Sequence, residues 1–422
     1  MNDDDDDLLR RDAAHLWHPF TQHGLEAAPL PVRAAAGARL VLHDGRSVVD
    51  AIASWWCCLH GHGRPEIAAA IARQAAELDH VLFAGCTHAP AVELAERLLA
   101  LAPRGLERVF YSDNGSTAVE VALKMALQGH VHDGKPQRRV FVALDGGYHG
   151  DTFGAMAVGD PEPYFVPFRP FLFEVRRAPA DAAAVVRMLD ELGERAAGVV
   201  LEPLVQGAAG MRMHDPAFVR AVREATTARG LPLVADEVMT GFGRTGSTFA
   251  CERAGVVPDF LCVAKGLTGG TLPLSATLVT GEVFDRFRSA DRRRTFFHGH
   301  TFTANPIACA AALASMELLV RERTPERLDA LGADLERRLA GIDGVRRAGG
   351  IVAFDLPVPA DDPGFVQRRR PRWRALALEH GVLLRPLGEV VYAMPPSCTS
   401  ADELAAIAVA MRALAEDAGA AR

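Results

Sequence analysis

Lys265 stands where an apolar run, Phe260 to Ala264, breaks into a glycine-rich stretch, Gly266 to Gly270. The chain has only three lysines, Lys124, Lys135 and Lys265, among its 46 lysines and arginines. A sequence that uses arginine almost everywhere for positive charge, and lysine here, predicts a need for a primary amine. Lysine can form a Schiff base with a carbonyl and arginine cannot, and partial desolvation makes the amine nucleophilic. The competing reading is a surface lysine after a strand. Asp236 follows another apolar run, Leu231 to Ala235, so its carboxylate is poorly solvated and needs a partner. A protonated ring nitrogen of an electron-sink cofactor would supply one. An internal ion pair with an arginine such as Arg244 is the alternative.

Three further strand ends carry polar residues. Ser112-Asp113-Asn114-Gly115-Ser116-Thr117 leads into a helix. Small residues such as Gly115 and Ser116 let backbone N–H groups approach an anion, and the helix N-terminus adds its positive dipole end, which makes a phosphate cradle. An ordinary capped helix start reads the same way. Gly146-Gly147-Tyr148-His149-Gly150-Asp151 puts an aromatic pair between glycines. Tyr148 there could lie flat on a planar ring, or be a buried turn tyrosine. Glu202 follows a third run and Glu237 follows Asp236.

The elements that must position these residues are short apolar runs separated by helical patterns. Strands are predicted at Arg108 to Tyr111, Val140 to Leu144, Ala197 to Leu201, Leu231 to Ala235, Phe260 to Ala264 and Leu274 to Thr280, with a helix over Thr117 to Gln128. Continuous apolar runs alternating with helices predict a largely parallel, buried sheet, which binds ligands beyond the carboxyl ends of its strands. Between Asp236 and Lys265 there is room for one helix and a return strand, so both fall at one sheet edge. An amine nucleophile, a buried carboxylate and a phosphate cradle at one edge are the parts of a pyridoxal-phosphate site. Gly241 to Gly246 spells GxGxxG, but five residues separate it from the strand and it opens no helix, so dinucleotide binding is set aside.

At 422 residues, 49% of them apolar, the chain can build two or three cores. The divisions expected are an N-terminal segment, 1–75, packing with the small domain, a large domain, 76–325, and a small α+β domain, 326–422. Pro306 to about Leu339 reads as helical, Gly350 to Phe354 and Val390 to Met394 as strands, and Pro357 to Arg374 as a loop. The net charge of -7 argues against nucleic-acid binding. No run reaches the length of a membrane span. Asp3 to Asp7 reads as a solvated tail, the opposite of a basic signal start. Seven cysteines without CxxC spacing read as reduced thiols, so a cytoplasmic location and no metal are expected.

With these residues in view, the chain resembles the class III, fold-type I aminotransferases over about residues 12–415. ADEVMTGFGRTG (235–246), KGLTGG (265–270) and FFHGHTFTANPIACAAALAS (296–315) carry the match. HLWHPFTQ (15–22), SWWCCLHGH (54–62), GGYHGDTFGA (146–155) and LEPLVQGAAGM (201–211) resemble the branch of that family that aminates 8-amino-7-oxononanoate in biotin synthesis. The resemblance implies an α/β fold with a mostly parallel central sheet and a smaller α+β domain. It implies that Lys265 carries pyridoxal phosphate and moves the proton, that Asp236 pairs with the ring nitrogen, and that Tyr148 lies against the ring. Gly115 and Ser116 would bind the phosphate. Thr301, after Gly299 and His300, would reach the phosphate of the partner subunit's cofactor, making the enzyme a homodimer with sites at the interface. Phe20, Trp55, Gly299 and Tyr392 would line the substrate pocket, and Arg385 would take the substrate carboxylate.

Forms of this branch that use S-adenosylmethionine as donor usually have tyrosine at Phe20 and proline at His300. The HPFTQ and HGH spellings resemble relatives that take the amine from lysine, whereas Trp55-Trp56 and Tyr392 look like the S-adenosylmethionine form. S-adenosylmethionine is the donor expected, with lysine, or an ω-amino acid or 4-aminobutyrate substrate, as the alternatives.

Overall fold

The computed structural model describes residues 3–160, 162–358, 364 and 368–419. Its centre is a seven-stranded sheet. The strands are β1 (Leu106–Ser112), β2 (Val140–Leu144), β3 (Val175–Ala178), β4 (Ala196–Leu201), β5 (Leu233–Asp236), β6 (Phe260–Val263) and β7 (Ser275–Thr280). Their spatial order is β1-β7-β6-β5-β4-β2-β3. Neighbours from β6 through β3 run parallel, and β7 runs antiparallel to both β6 and β1. Every residue of β2, β4, β5 and β6 is buried. Burial on both faces explains why these strands are continuous Val, Ala and Leu runs rather than alternating ones.

Helix α1 (Gly115–His132) follows β1 and starts with a capping box, in which Asn114 and Thr117 exchange side-chain and backbone hydrogen bonds. It packs one face of the sheet through Ala118, Val119 and Ala122 against Phe141, Val234 and Phe260. The Ala118 carbonyl accepts from Thr277 Oγ1 at 2.8 Å, which fixes the height of α1 over the sheet. Helix α2 (Pro306–Arg321) packs against the helices of residues 65–77 and 89–101 and against the turn 265–268, and α3 (Thr324–Arg338) follows it. A four-stranded sheet joins residues 32–36, 39–42 and 47–50 to 382–383, with Val382 beside Val49 in parallel register. A three-stranded antiparallel sheet joins 346–348, 351–355 and 390–393. Helices α4 (Arg370–Glu379) and α5 (Ala401–Asp417) cover this C-terminal part.

Several expectations need correction. The sheet has an extra strand, β3, whose sequence VRRA carries two arginines and gives no apolar run. The helical stretch from Pro306 is two helices, broken where Arg323 takes a left-handed φ of 51°. The acidic N-terminal run belongs to a helix, Asp3–His15, in which Asp7 pairs with Arg10 and, at 3.3 Å, with Arg11 one turn on. Within Pro357 to Arg374, residues 359–363 and 365–367 lie outside the described residues, and 370–374 are the first half of α4 rather than loop. All seven cysteines are free, and no described helix is long and apolar enough to cross a membrane.

Candidate active site

β5 ends on Asp236 and β6 delivers Lys265 two residues past Val263, so the parallel pairing of Asp236 with Cys262 brings acid and amine to the same edge. Both line a cavity of about 410 Å³, together with Gly115, Ser116 and Tyr148. Lys265 has a left-handed φ of 45°, a strained geometry for a side chain of this size. Its Nζ lies 4.8 Å from the centre of the Trp56 ring. Burial lowers the amine's pKa, against the upward pull of Asp236, Glu202 and Cys57. The result is a lysine that gives up its proton more readily than a surface one.

Asp236 does not pair with Arg244. Its Oδ2 meets His149 Nδ1 at 2.7 Å, and its Oδ1 accepts from the Val238 N–H at 3.0 Å. Arg244, itself buried, donates instead to the carbonyls of Pro395 (2.9 Å) and Trp56 (3.2 Å). The GxGxxG stretch is therefore a buttress for the C-terminal part. Burial works against protonation of His149, but its hydrogen bond to Asp236 and the charges of Asp236 and Glu202 outweigh it and hold the imidazole above its ordinary range. Glu202 is pushed up to about 7 by burial, partly offset by His149. It accepts from the N–H groups of Tyr148 (3.1 Å) and Gly207 (2.8 Å), which fixes the backbone of the Tyr148-His149 pair. Tyr148 donates its hydroxyl to Asp151 at 2.9 Å. Glu237 faces away from the cavity and accepts from the N–H groups of Ala250 and Cys251.

The cavity fits pyridoxal phosphate. The first N–H groups of α1 have no intrahelical partner and meet the cavity at Gly115 and Ser116. A side chain at Gly115 would put a Cβ 2.7 Å from Val238 Cγ1, and one at Gly150 would put it 1.9 Å from Ser116 Oγ. Backbone can therefore come close to an anion there. His149 Nε2 is buried with no hydrogen-bond partner, although Asp236 engages the other ring nitrogen. Asp236, the flat Tyr148 and the Lys265 amine complete the requirements of the ring. Among the described residues no cluster of His, Cys, Asp or Glu could hold a metal ion.

A second cavity of about 350 Å³ opens from the first, sharing Lys265, Tyr148 and Trp56. Phe20, Trp55, Tyr392 and Arg385 line it. The Arg385 guanidinium lies 4.7 Å over the Trp55 ring, and Phe20 packs on Trp55 at 5.5 Å. Burial, with the nearby charges of Arg374 and Arg370, lowers the pKa of Arg385. No carboxylate among the described residues forms a salt bridge with it. Sequence reading missed Tyr164, which meets both Phe20 and Tyr148 edge to face at 6.1 Å. It also gave Trp56, which lines both cavities, no site role of its own. Gly299, His300 and Thr301 line neither cavity of their own chain. Thr301 is exposed, and beside it Phe297 and Phe302 are 76% and 58% exposed.

A sequence model of the family described as Aminotransferase class-III matches residues 20–414. The chain is 47% identical to the adenosylmethionine-8-amino-7-oxononanoate aminotransferase of Synechococcus elongatus, over 96% of this chain and 99% of that protein. The protein of the same name from Geobacter sulfurreducens is 41% identical over 96% of each chain. Among solved structures, the Methanocaldococcus jannaschii protein of that name superposes with a TM-score of 0.92 at 34% identity, covering 98% of this chain and 99% of the other. An amine transaminase from an uncultivated Pseudomonas species, solved in its PLP-bound form, superposes with a TM-score of 0.89 at 32% identity, covering 96% and 99%.

Proposed function

This chain belongs to the class III aminotransferases, which use pyridoxal phosphate, and from that premise we propose that it converts 8-amino-7-oxononanoate to 7,8-diaminononanoate in biotin synthesis with S-adenosylmethionine as amino donor. The observation that carries the reading is the second cavity. It is apolar and aromatic along its length, starts at Lys265 and contains Arg385, a guanidinium that forms no salt bridge with a carboxylate among the described residues. That shape and charge suit an aliphatic chain with an amine or ketone near one end and a carboxylate at the other. The relatives' names support the same substrate.

The cofactor, when bound, supplies an electron sink for the charge left when a proton departs from the donor's α-carbon. Asp236 would pair with the ring nitrogen and favour its protonated form. His149 fixes the orientation of the Asp236 carboxylate. Gly115 and Ser116, at the start of α1, would hold the phosphate. Tyr148 would lie against the ring, and Glu202 fixes its backbone. Lys265 Nζ, its pKa lowered by burial, takes the α-proton and returns it. Phe20, Trp55 and Tyr392 exclude water around the chain of the substrate, and Arg385 binds its carboxylate.

The exposed phenylalanines beside Thr301 support a homodimer in which His300 and Thr301 complete the partner's phosphate site and Gly299 borders its pocket. On this reading the enzyme is cytoplasmic. The chain divides into 1–75, 76–325 and 326–422, and the pairing of Val382 with Val49 supports joining the first segment to the small domain. Lysine as donor is the second reading, favoured by Phe20, which places no hydroxyl in the cavity. The deciding experiment supplies the purified enzyme with 8-amino-7-oxononanoate and either S-adenosylmethionine or lysine, and follows diaminononanoate directly. Product with S-adenosylmethionine alone is expected. Product with lysine alone would replace the donor. Turnover of 4-aminobutyrate and none of the oxononanoate would overturn the substrate.

A further inference from the structure

Ala53, Ser54, Trp55 and Trp56 have successive φ values of 48°, 45°, 69° and 74°. Four left-handed residues in a row, none of them glycine, make a turn of the hand that L-residues disfavour at every step. Such a run persists only where its surroundings over-determine it. The turn closes on itself, with the Trp56 N–H donating to Ile52 O at 2.8 Å and the Cys57 N–H to Ala53 O at 3.0 Å. One buried carboxylate braces it. Asp50 accepts from Ser54 Oγ at 2.7 Å, from the Ile52 N–H at 3.3 Å, and pairs with His62 Nε2 at 2.9 Å. On the other side Trp56 donates its indole N–H to Tyr392 Oη at 3.0 Å, and its carbonyl accepts from Arg244.

The turn brings its two indoles to the two cations of the site. Trp56 lies under Lys265 Nζ and Trp55 under the Arg385 guanidinium. A ring face attracts a cation and favours its charged form. One rigid turn therefore sets the spacing between the nitrogen that does the chemistry and the group that takes the carboxylate.

We propose that Asp50 and Ser54 are positioning residues: the Ser54–Asp50 hydrogen bond holds the left-handed turn, and the turn holds Lys265 and Arg385 in register for a substrate that spans both. The inference rests on the reading of Arg385 as carboxylate receptor. Ser54→Ala removes the hydroxyl alone. Ser54→Gly removes the hydroxyl and also the Cβ that makes a φ of 45° costly. Each holoenzyme is measured without turnover, by the pH midpoint of the cofactor's visible absorbance and by the Kd for nonanoate, a nine-carbon monocarboxylate. In Ser54→Ala the nonanoate Kd rises roughly two- to tenfold, as for one lost hydrogen bond. The pH midpoint falls, because Trp56 no longer faces the protonated nitrogen. Ser54→Gly recovers part of both shifts. No shift in the alanine variant, a shift in only one readout, or a glycine variant worse than alanine in both would overturn the inference; the last is what simple loop rigidity predicts. If 8-amino-7-oxononanoate is not aminated but both shifts occur, the substrate assignment falls and the positioning role stands.

Discussion

Desolvation gives Lys265 and Arg385 different uses from the same cause. Burial lowers the pKa of each, but an ammonium can lose its proton within the working range and a guanidinium cannot. On the proposed function, Lys265 would therefore serve as nucleophile and base, and Arg385 as a fixed charge. Replacing Lys265 with Ala is expected to remove both the visible band of the bound cofactor and all transamination, while circular dichroism stays unchanged. Lys265→Arg should be as inactive, because a guanidinium does not bond to the carbonyl carbon; activity in either variant would refute the assignment. Arg385→Ala should raise KM for the keto acid by roughly thirtyfold or more, the cost of removing one partner from a desolvated charge pair. It should affect the amine donor less, and steady-state kinetics with each substrate varied in turn will show whether the two effects differ. The two residues were unequally legible. Lys265 stood out because the chain otherwise avoids lysine. Arg385 is one of many arginines, and only resemblance to a family singled it out. His149 was visible between its glycines, but its bond to Asp236 joins residues far apart in the chain and has no local signature.

At the scale of elements, the parallel strands were readable because burial on both faces leaves an uninterrupted apolar run. The direction of β7 was not, since an antiparallel strand buried on both faces spells the same run. The left-handed turn at Ala53–Trp56 was also invisible, because no glycine marks it. Elements distant in sequence are joined by a charge cluster that composition does not reveal. Arg64 bonds both Glu66 (3.2 Å) and Glu322 (2.5 Å), and Arg321 bonds Glu66 at 2.6 Å, tying the start of helix Pro65–Glu77 to the end of α2. The hydrogen bond from Arg64, with that from Arg321, holds Glu66 down at about 2. Burial pushes Glu322 up, but Arg64 outweighs it and the net shift is down. Carboxyls with folded pKa values below their unfolded ones stabilise fully above the unfolded value, and that stability is lost as pH falls through the folded value. Glu322→Gln should thus cost about 1–2 kcal/mol at neutral pH. The difference from the parent should shrink as pH falls below the ordinary glutamate range and through the lowered folded value of Glu322. Urea titrations across that window measure it, and a pH-independent difference would show that the cluster acts through packing instead.

For the whole molecule, one chain supplies Lys265, Asp236 and the start of α1, yet its Thr301 sits exposed outside both cavities. A two-fold dimer resolves this if each Thr301 reaches across to the other site, because in an isologous interface the same exchange occurs twice. Thr301→Ala should then weaken the cofactor by the loss of a hydrogen bond to a charged phosphate, roughly ten- to a hundredfold in affinity. Under limiting cofactor this variant should be nearly inactive, as Lys265→Ala is at any concentration. When the two variants are denatured together and refolded, about half the dimers should be mixed. In a mixed dimer, one site takes Lys265 from the Thr301→Ala chain and Thr301 from the Lys265→Ala chain, so it is intact, and its twin lacks both. About a quarter of all sites should therefore recover at low cofactor. If Thr301 instead served the site of its own chain, every site in the mixture would still lack one of the two residues. The refolded mixture would then be no more active than its components measured apart, and the shared-site dimer would have to be abandoned.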